Sequence, residues 1–113
     1  MPSLAEALAP ARWDVVMSQG SSWEVVLNFE DTPLAGIQFR GYLARRHRCG
    51  VALTAYAFER LTGGNRVRVS LTAEQTAALP HGLLVHDIEA YTDQGWVLRF
   101  LEGTVTVTPE VTA

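Results

Sequence analysis

Chemistry has few places to start in this chain. Its three histidines are His47, His81 and His86, and only His86 stands beside an acid, Asp87. Neighbours in a strand point to opposite faces, so simple geometry denies that pair the orienting hydrogen bond of a general base. His86 shares a face with Leu84, Ile88 and Ala90, a setting that predicts a packed or rim histidine. Asp87 and Glu89 do fall on one face, and two carboxylates at that spacing can hold calcium or work as an acid and base pair. A salt link to Arg99 or Arg68 on a neighbouring strand is the simpler reading, and Asp87 can also bond the backbone of the preceding turn. The single cysteine, Cys49, lies in HRCG beside Arg48 and His47, which lower a thiol pKa when the side chain is exposed. A Cys/His catalyst also needs an orienting group and an oxyanion site, and neither is visible. Walker loop, GxGxxG, CxxC and HExxH motifs are absent. The expectation is no catalytic residue, no metal ligand set and no cofactor.

Binding residues are easier to nominate. Arg45, Arg46, His47 and Arg48 form one basic cluster, read either as a solvated turn or as a phosphate contact, although nothing aromatic is interleaved with it. Trp23 and Trp96 fall on apolar faces, which leaves Trp13 as the candidate for an exposed stacking platform. TVTVT, Thr104 to Thr108, is short of charge and β-prone. It is therefore a candidate for pairing with a neighbouring subunit's sheet edge, the alternative being an ordinary internal strand. The nominated partner-binding residues are Trp13, Arg45, Arg46, Arg48, Thr104, Thr106 and Thr108.

Composition limits the setting. Nine basic residues, all Arg, against twelve carboxylates give a net charge of −3 over 113 residues, so nucleic acid is not the expected partner. Apolar residues make up 48% and charged residues 19%, an ordinary balance for a single folded core. No apolar run approaches the roughly 20 residues of a membrane span. MPSLAEALAPARW lacks the basic start and apolar core of a signal peptide, so first folding is expected in a reducing cytoplasm.

The elements that must position these residues are strands. Met1 to Arg12, with Pro2 and Pro10 bracketing SLAEALA, reads as an N-terminal arm, and residues 13–113 as the folded domain. WDVVM (Trp13 to Met17) and SWEVVLNFE (Ser22 to Glu30) are strand-like, with Trp23, Val25, Leu27 and Phe29 on one face of the second. GIQFRGYLA continues with Ile37, Phe39 and Leu43 on one face, and Gly41 marks a bulge or close approach that would let the strand bend between sheets. VALTAYAF, Val51 to Phe58, is apolar on both faces and is expected to be a central strand, although its alanines also permit helix. RVRVSL places Val67, Val69 and Leu71 inward. LTAEQTAALPHG predicts a short helix with Thr72 and Gln75 as a capping box, stopped by Pro80 and Gly82. LLVHDIEAY and WVLRFLEG then form a hairpin around Asp93-Gln94-Gly95, and a bulge at Gly103 reverses the outward face before TVTVT. The predicted fold is all-β and mainly antiparallel. It is a β-sandwich or jelly-roll-like barrel of about seven or eight short strands with one short helix.

The order of these motifs resembles a group of small phage-encoded β proteins and N-terminal modules of tail, baseplate and fibre-attachment components, of the kind seen in baseplate upper proteins. The residues that carry it are Gln19-Gly20, Leu34-Ala35-Gly36 with Arg40, Leu71-Thr72, Thr76, Leu79-Pro80, Gly82, Asp87, Gly95, Gly103, Val105, Val107 and Glu110-Val111-Thr112. One departure is Leu34-Ala35-Gly36, where the family more often has Leu-Thr-Gly. The resemblance implies a non-enzymatic virion structural protein, assembled in the host cytoplasm and present in several copies or as a homo-oligomer. It would contact other virion proteins as a tail, baseplate or fibre adaptor. A capsid decoration protein on the major capsid protein is the alternative, and a carbohydrate-binding module using Trp13 is a third reading from a different class.

Overall fold

Strict alternation along most of the chain resolves into two stacked sheets. The computed structural model describes residues 10–47 and 50–111. Among them are β1 (Ala11–Arg12), β2 (Val15–Ser18), β3 (Trp23–Asn28), β4 (Gln38–Ala44), β5 (Thr54–Ala55), β6 (Ala57–Arg60), β7 (Arg66–Leu71), α1 (Ala73–Ala77), β8 (Gly82–Tyr91) and β9 (Val97–Thr108). A wide sheet runs β1-β9-β8-β4-β5, with β2 also on β9, and a narrow sheet runs β3-β7-β6. Every pairing is antiparallel except those of β1 and β2, which run parallel to β9. The expected all-β sandwich with one short helix is the fold, although β8 and β9, at 10 and 12 residues, are longer than expected.

Apolar residues at alternate positions meet between the sheets. Val67 and Val69 of β7 pack with Leu43, Leu84, Ile88, Ala90, Val105 and Val107 of the wide sheet in one buried cluster. An aromatic group fills one end, where Phe29 lies 5.4 Å from Phe39 and 5.6 Å from Phe100, centroid to centroid. Such pairs each contribute about 0.5–1.5 kcal/mol beyond the area they bury. The helix closes the other end. Thr72 Oγ1 accepts from the Gln75 backbone N–H at 3.1 Å, and Gln75 Oε1 accepts from the Thr72 N–H at 2.9 Å, the reciprocal cap expected from the sequence. Gln75 Nε2 also donates to Thr54 Oγ1 and the Ala55 carbonyl, while buried Thr76 donates to the Ser21 carbonyl, so the helix is tied to both sides of the sandwich.

Four expectations need correction. VALTAYAF is not a central strand: it supplies β5 at one edge of the wide sheet and β6 at one edge of the narrow sheet, with buried Tyr56 at the crossing. Thr54, Tyr56 and Phe58 face the core through the crossing, and the apolar residues of the other face, Ala55 and Ala57, are exposed. Gly41 is not that crossing point. β4 pairs with β8 in unbroken register through it, and it is a close approach: a Cβ there would lie 2.8 Å from the Asp87 carbonyl and 3.0 Å from Ile88 Cγ1. The bulge in β9 falls before Gly103. Ile88 is opposite Leu101 and Glu89 opposite Arg99, so Phe100 is the extra residue, and the inward positions change from Leu98 and Phe100 to Gly103, Val105 and Val107. Ala11 and Arg12, assigned to the arm, form β1; the rest of that expectation, residues 1–9, lies outside the described residues.

Candidate interaction surface

The outer face of the wide sheet is built in rows set by strand register. Nearest the helix end, Val16, Thr106 and Leu83 stand side by side across β2, β9 and β8. The next row carries Thr104, Val85 and Ala44. Beyond it the face turns ionic. Glu102, Asp87 and Tyr42 form one row, and Arg99, Glu89 and Arg40 the next. Glu89 pairs with Arg40 at 2.8 Å, and Asp87 and Glu102 both lie near Arg99, at 3.7 and 3.6 Å. Each is partly exposed and contributes at most about 1 kcal/mol. The apolar rows are the exception to the alternation: Val16 is 64% and Leu83 67% exposed.

Asp87 and Glu89 share this face as expected, and each is neutralised by its own arginine. Burial raises the Asp87 pKa and Arg99 partly offsets it. Asp87 has Arg99 as its partner, not the backbone of the preceding turn, because it points outward while that turn lies at the sheet end. Among the described residues no three His, Cys, Asp or Glu side chains converge as a metal site. No helix there is long and apolar enough to cross a membrane.

The basic cluster lies at the β4–β5 connection. Arg45, Arg46 and His47 are exposed, and Arg48 and Cys49 lie outside the described residues. The connection overhangs a depression of about 280 Å³ floored by Tyr42, Ala44, Val85 and Asp87, with Arg46 and His47 at its rim.

Two other nominations change character. Trp13 is half-buried, its ring centroid 5.9 Å from that of Trp23 and 5.4 Å from that of His86, so it packs against the core at the edge of the sandwich. Thr104, Thr106 and Thr108 do not lie on a free edge. β9 is paired with β8 on one side and with β2 on the other, Val15 to Ser18 lying opposite Val105 to Thr108. Thr106 is exposed on the outer face. Thr104 donates from its backbone and hydroxyl to Asp14 Oδ1, and Thr108 donates to Ser18 Oγ.

His86 is packed, as its face predicted, and it is 2% exposed. Its Nε2 lies 2.7 Å from the Trp13 carbonyl and its Nδ1 2.7 Å from the Tyr56 hydroxyl. A carbonyl only accepts, so Nε2 carries the proton and Nδ1 accepts from Tyr56. Both nitrogens are satisfied in the neutral ring. Burial depresses the His86 pKa, and the Trp13 bond only partly opposes it; burial likewise raises that of Tyr56. This buried relay joins β8, the sheet crossing and the β1–β2 junction, a role of anchorage.

Sequence reasoning passed over Val16 and Leu83. The signal was present, as adjacent apolar residues where alternation calls for one: Val15-Val16 and Leu83-Leu84-Val85. Compared with known proteins, the chain matches no family model and none of the curated proteins.

Proposed function

We propose that this chain is a non-enzymatic structural component of a bacteriophage particle, acting through protein–protein contacts on the tail side as a baseplate, fibre or tail adaptor. The single observation that carries the docking role is the apolar strip on the outer face of the wide sheet, where Val16 and Leu83 flank Thr106 on adjacent strands. Burying each against a partner contributes roughly 1–2 kcal/mol. The neighbouring ion-paired rows supply a polar rim of the kind that surrounds a contact core. The phage setting rests on the resemblance in motif order between Trp13 and Thr112.

The test is incorporation. Val16→Asp with Leu83→Asp changes only outward side chains, so the double variant is expected to fold with an unchanged far-ultraviolet spectrum and to be lost from purified particles. Full incorporation of the folded variant would remove the strip from the account. Absence of the unaltered chain from particles would remove the particle setting.

A further inference from the structure

Four aromatic side chains close a ring at the β1–β2 junction. Tyr56 lies 5.5 Å from Trp23, Trp23 5.9 Å from Trp13, Trp13 5.4 Å from His86, and His86 5.9 Å from Tyr56, centroid to centroid. Of the four, His86 is the member that changes charge near neutral pH. Its neutral imidazole holds two sides of the sandwich at once. Nε2–H donates to the Trp13 carbonyl and Nδ1 accepts from the Tyr56 hydroxyl, each at 2.7 Å.

The two bonds respond to a proton in opposite ways. The imidazolium is a donor at both nitrogens. Its bond to the Trp13 carbonyl becomes charge-assisted, and the Trp13 ring lies close enough to attract the cation. Tyr56 loses its acceptor. Its hydroxyl has to turn and accept from Nδ1–H, and among the described residues the hydroxyl proton then has no other partner. Tyr56 is buried, and a buried polar group left without a partner is unfavourable, so the charged ring keeps Trp13 and releases Tyr56.

The charges around His86 favour the same side. Asp14, in the β1–β2 junction, stays ionised in weak acid because the Thr104 N–H and Arg12 hold its pKa down, and it attracts the imidazolium. Asp87, the next residue of β8 but on the outer face, also favours the charged ring, and His47 of the β4–β5 connection opposes it. Gly103 of β9 and Leu43 of β4, which stand opposite His86, bring no charge, and neither does Trp23 of β3. From the crossing, the group that meets the ring is the Tyr56 hydroxyl.

What Tyr56 secures is otherwise lightly held. β5 and β6 lie at the ends of their sheets, and β5 pairs with β4 through two residue pairs, Tyr42 with Ala55 and Leu43 with Thr54. The Tyr56 ring seats against Gly41, where a Cβ would lie 3.1 Å from Tyr56 Cδ2. Short elements at a sheet edge open locally ahead of the core. We infer that His86 is a pH-sensitive latch: taking up a proton moves its hold to the β1–β2 junction and opens the sandwich at the β5–β6 crossing, while the opposite side stays closed. Burial disfavours the proton in the closed form, and the Trp13 carbonyl, Asp87 and Asp14 only partly offset that; water restores the ordinary value in the open form, so opening becomes easier as pH falls below 6.5. The latch acts within the folded chain and is independent of the particle setting and of the strip at Val16 and Leu83.

The experiment is amide hydrogen exchange of the full chain followed by NMR between about pH 7.5 and 5, with the intrinsic exchange rate divided out. Two amides report the two sides: Tyr56 N–H, which donates to the Gly41 carbonyl, and Trp13 N–H, which donates to the Glu102 carbonyl. Protection at Tyr56 is expected to fall by up to about tenfold per pH unit below 6.5, with protection at Trp13 retained. The nitrogen chemical shifts of His86 in the unaltered chain should show Nδ1 gaining its proton over the same range. His86→Gln keeps one donor and one acceptor without titrating, so in the folded variant the fall should vanish. Equal loss at both amides, earlier loss at Trp13, constant protection at Tyr56, or a fall that persists in folded His86→Gln would overturn the inference.

Discussion

Replacing Gly103 by alanine is expected to destabilise the protein by about 3–4 kcal/mol. Gly103 lies opposite His86 on the core face of β9, where the β1–β2 junction crosses it. A Cβ there would sit 2.2 Å from the Trp13 carbonyl oxygen, 2.7 Å from its carbon and 2.8 Å from Asp14 Oδ1. Two of those atoms are backbone, so the junction has to move. The displaced carbonyl is the acceptor for His86 Nε2, and a buried N–H left without a partner costs about 1–3 kcal/mol. Forcing the strand outward costs about 1–3 kcal/mol more. Against this, alanine restricts the unfolded chain by only about 0.4–1 kcal/mol, so the sign is not in question. Urea unfolding followed by tryptophan fluorescence reads the loss, and the corresponding fall in Tm is roughly 10–20 °C for a domain of this size. A double-mutant cycle with His86→Leu locates the cause: both changes break one bond, so together they should cost at least about 1 kcal/mol less than the sum. A loss below about 0.5 kcal/mol, or strict additivity, would refute the assignment of Gly103 and His86 to one anchoring contact.

The same histidine sets a pH dependence. Burial holds His86 below the ordinary value of 6.5, so the unfolded chain takes up its proton first; stability is complete above 6.5 and falls as pH drops towards the folded value, by at most about 1.4 kcal/mol per unit. Urea midpoints measured between about pH 7.5 and 5 should show this slope, and His86→Gln should lack it; a flat wild-type profile would contradict the buried neutral ring. Asp87, raised above 3.8 by burial, acts in the opposite sense further into acid, where folding favours its protonated form. Thr72→Ala removes the cap of α1 and should cost about 1 kcal/mol in the same assay, with no change if the helix is held by Thr76 and Gln75 alone.

Local signals were legible and distant pairings were not. Trp23, Val25 and Leu27 declared a strand by period, Thr72 and Gln75 declared a cap by spacing, and Asp93-Gln94-Gly95 declared a hairpin, because each depends on residues close in sequence. TVTVT could be read as an internal strand or as a pairing edge because nothing near it reveals that Val105 lies beside Val15, and a strand flanked on one side reads the same as one flanked on both; the internal reading is the one the fold bears out. The sheet crossing at Tyr56 was hidden for a related reason: the exposed Ala55 and Ala57 are small and apolar, so the segment matches the apolar pattern of a central strand. Glycine was ambiguous in the same way. Gly41 and Gly103 both mark places where a second backbone comes close, and in sequence Gly103 is as good a candidate for the bulge as Phe100, which makes it. Of the surface, the outward Val16 and Leu83 were visible as doubled apolar positions, but their adjacency across Thr106 exists only after folding.

The most direct test of the central claim is cryo-electron microscopy of purified, intact particles in which the chain's copies are located and their contacts resolved. Ordered copies are expected at the tail vertex, with Val16 and Leu83 buried against a neighbouring protein. Copies spread over the head lattice would contradict the tail assignment, and particles that assemble without the chain would contradict the structural role itself.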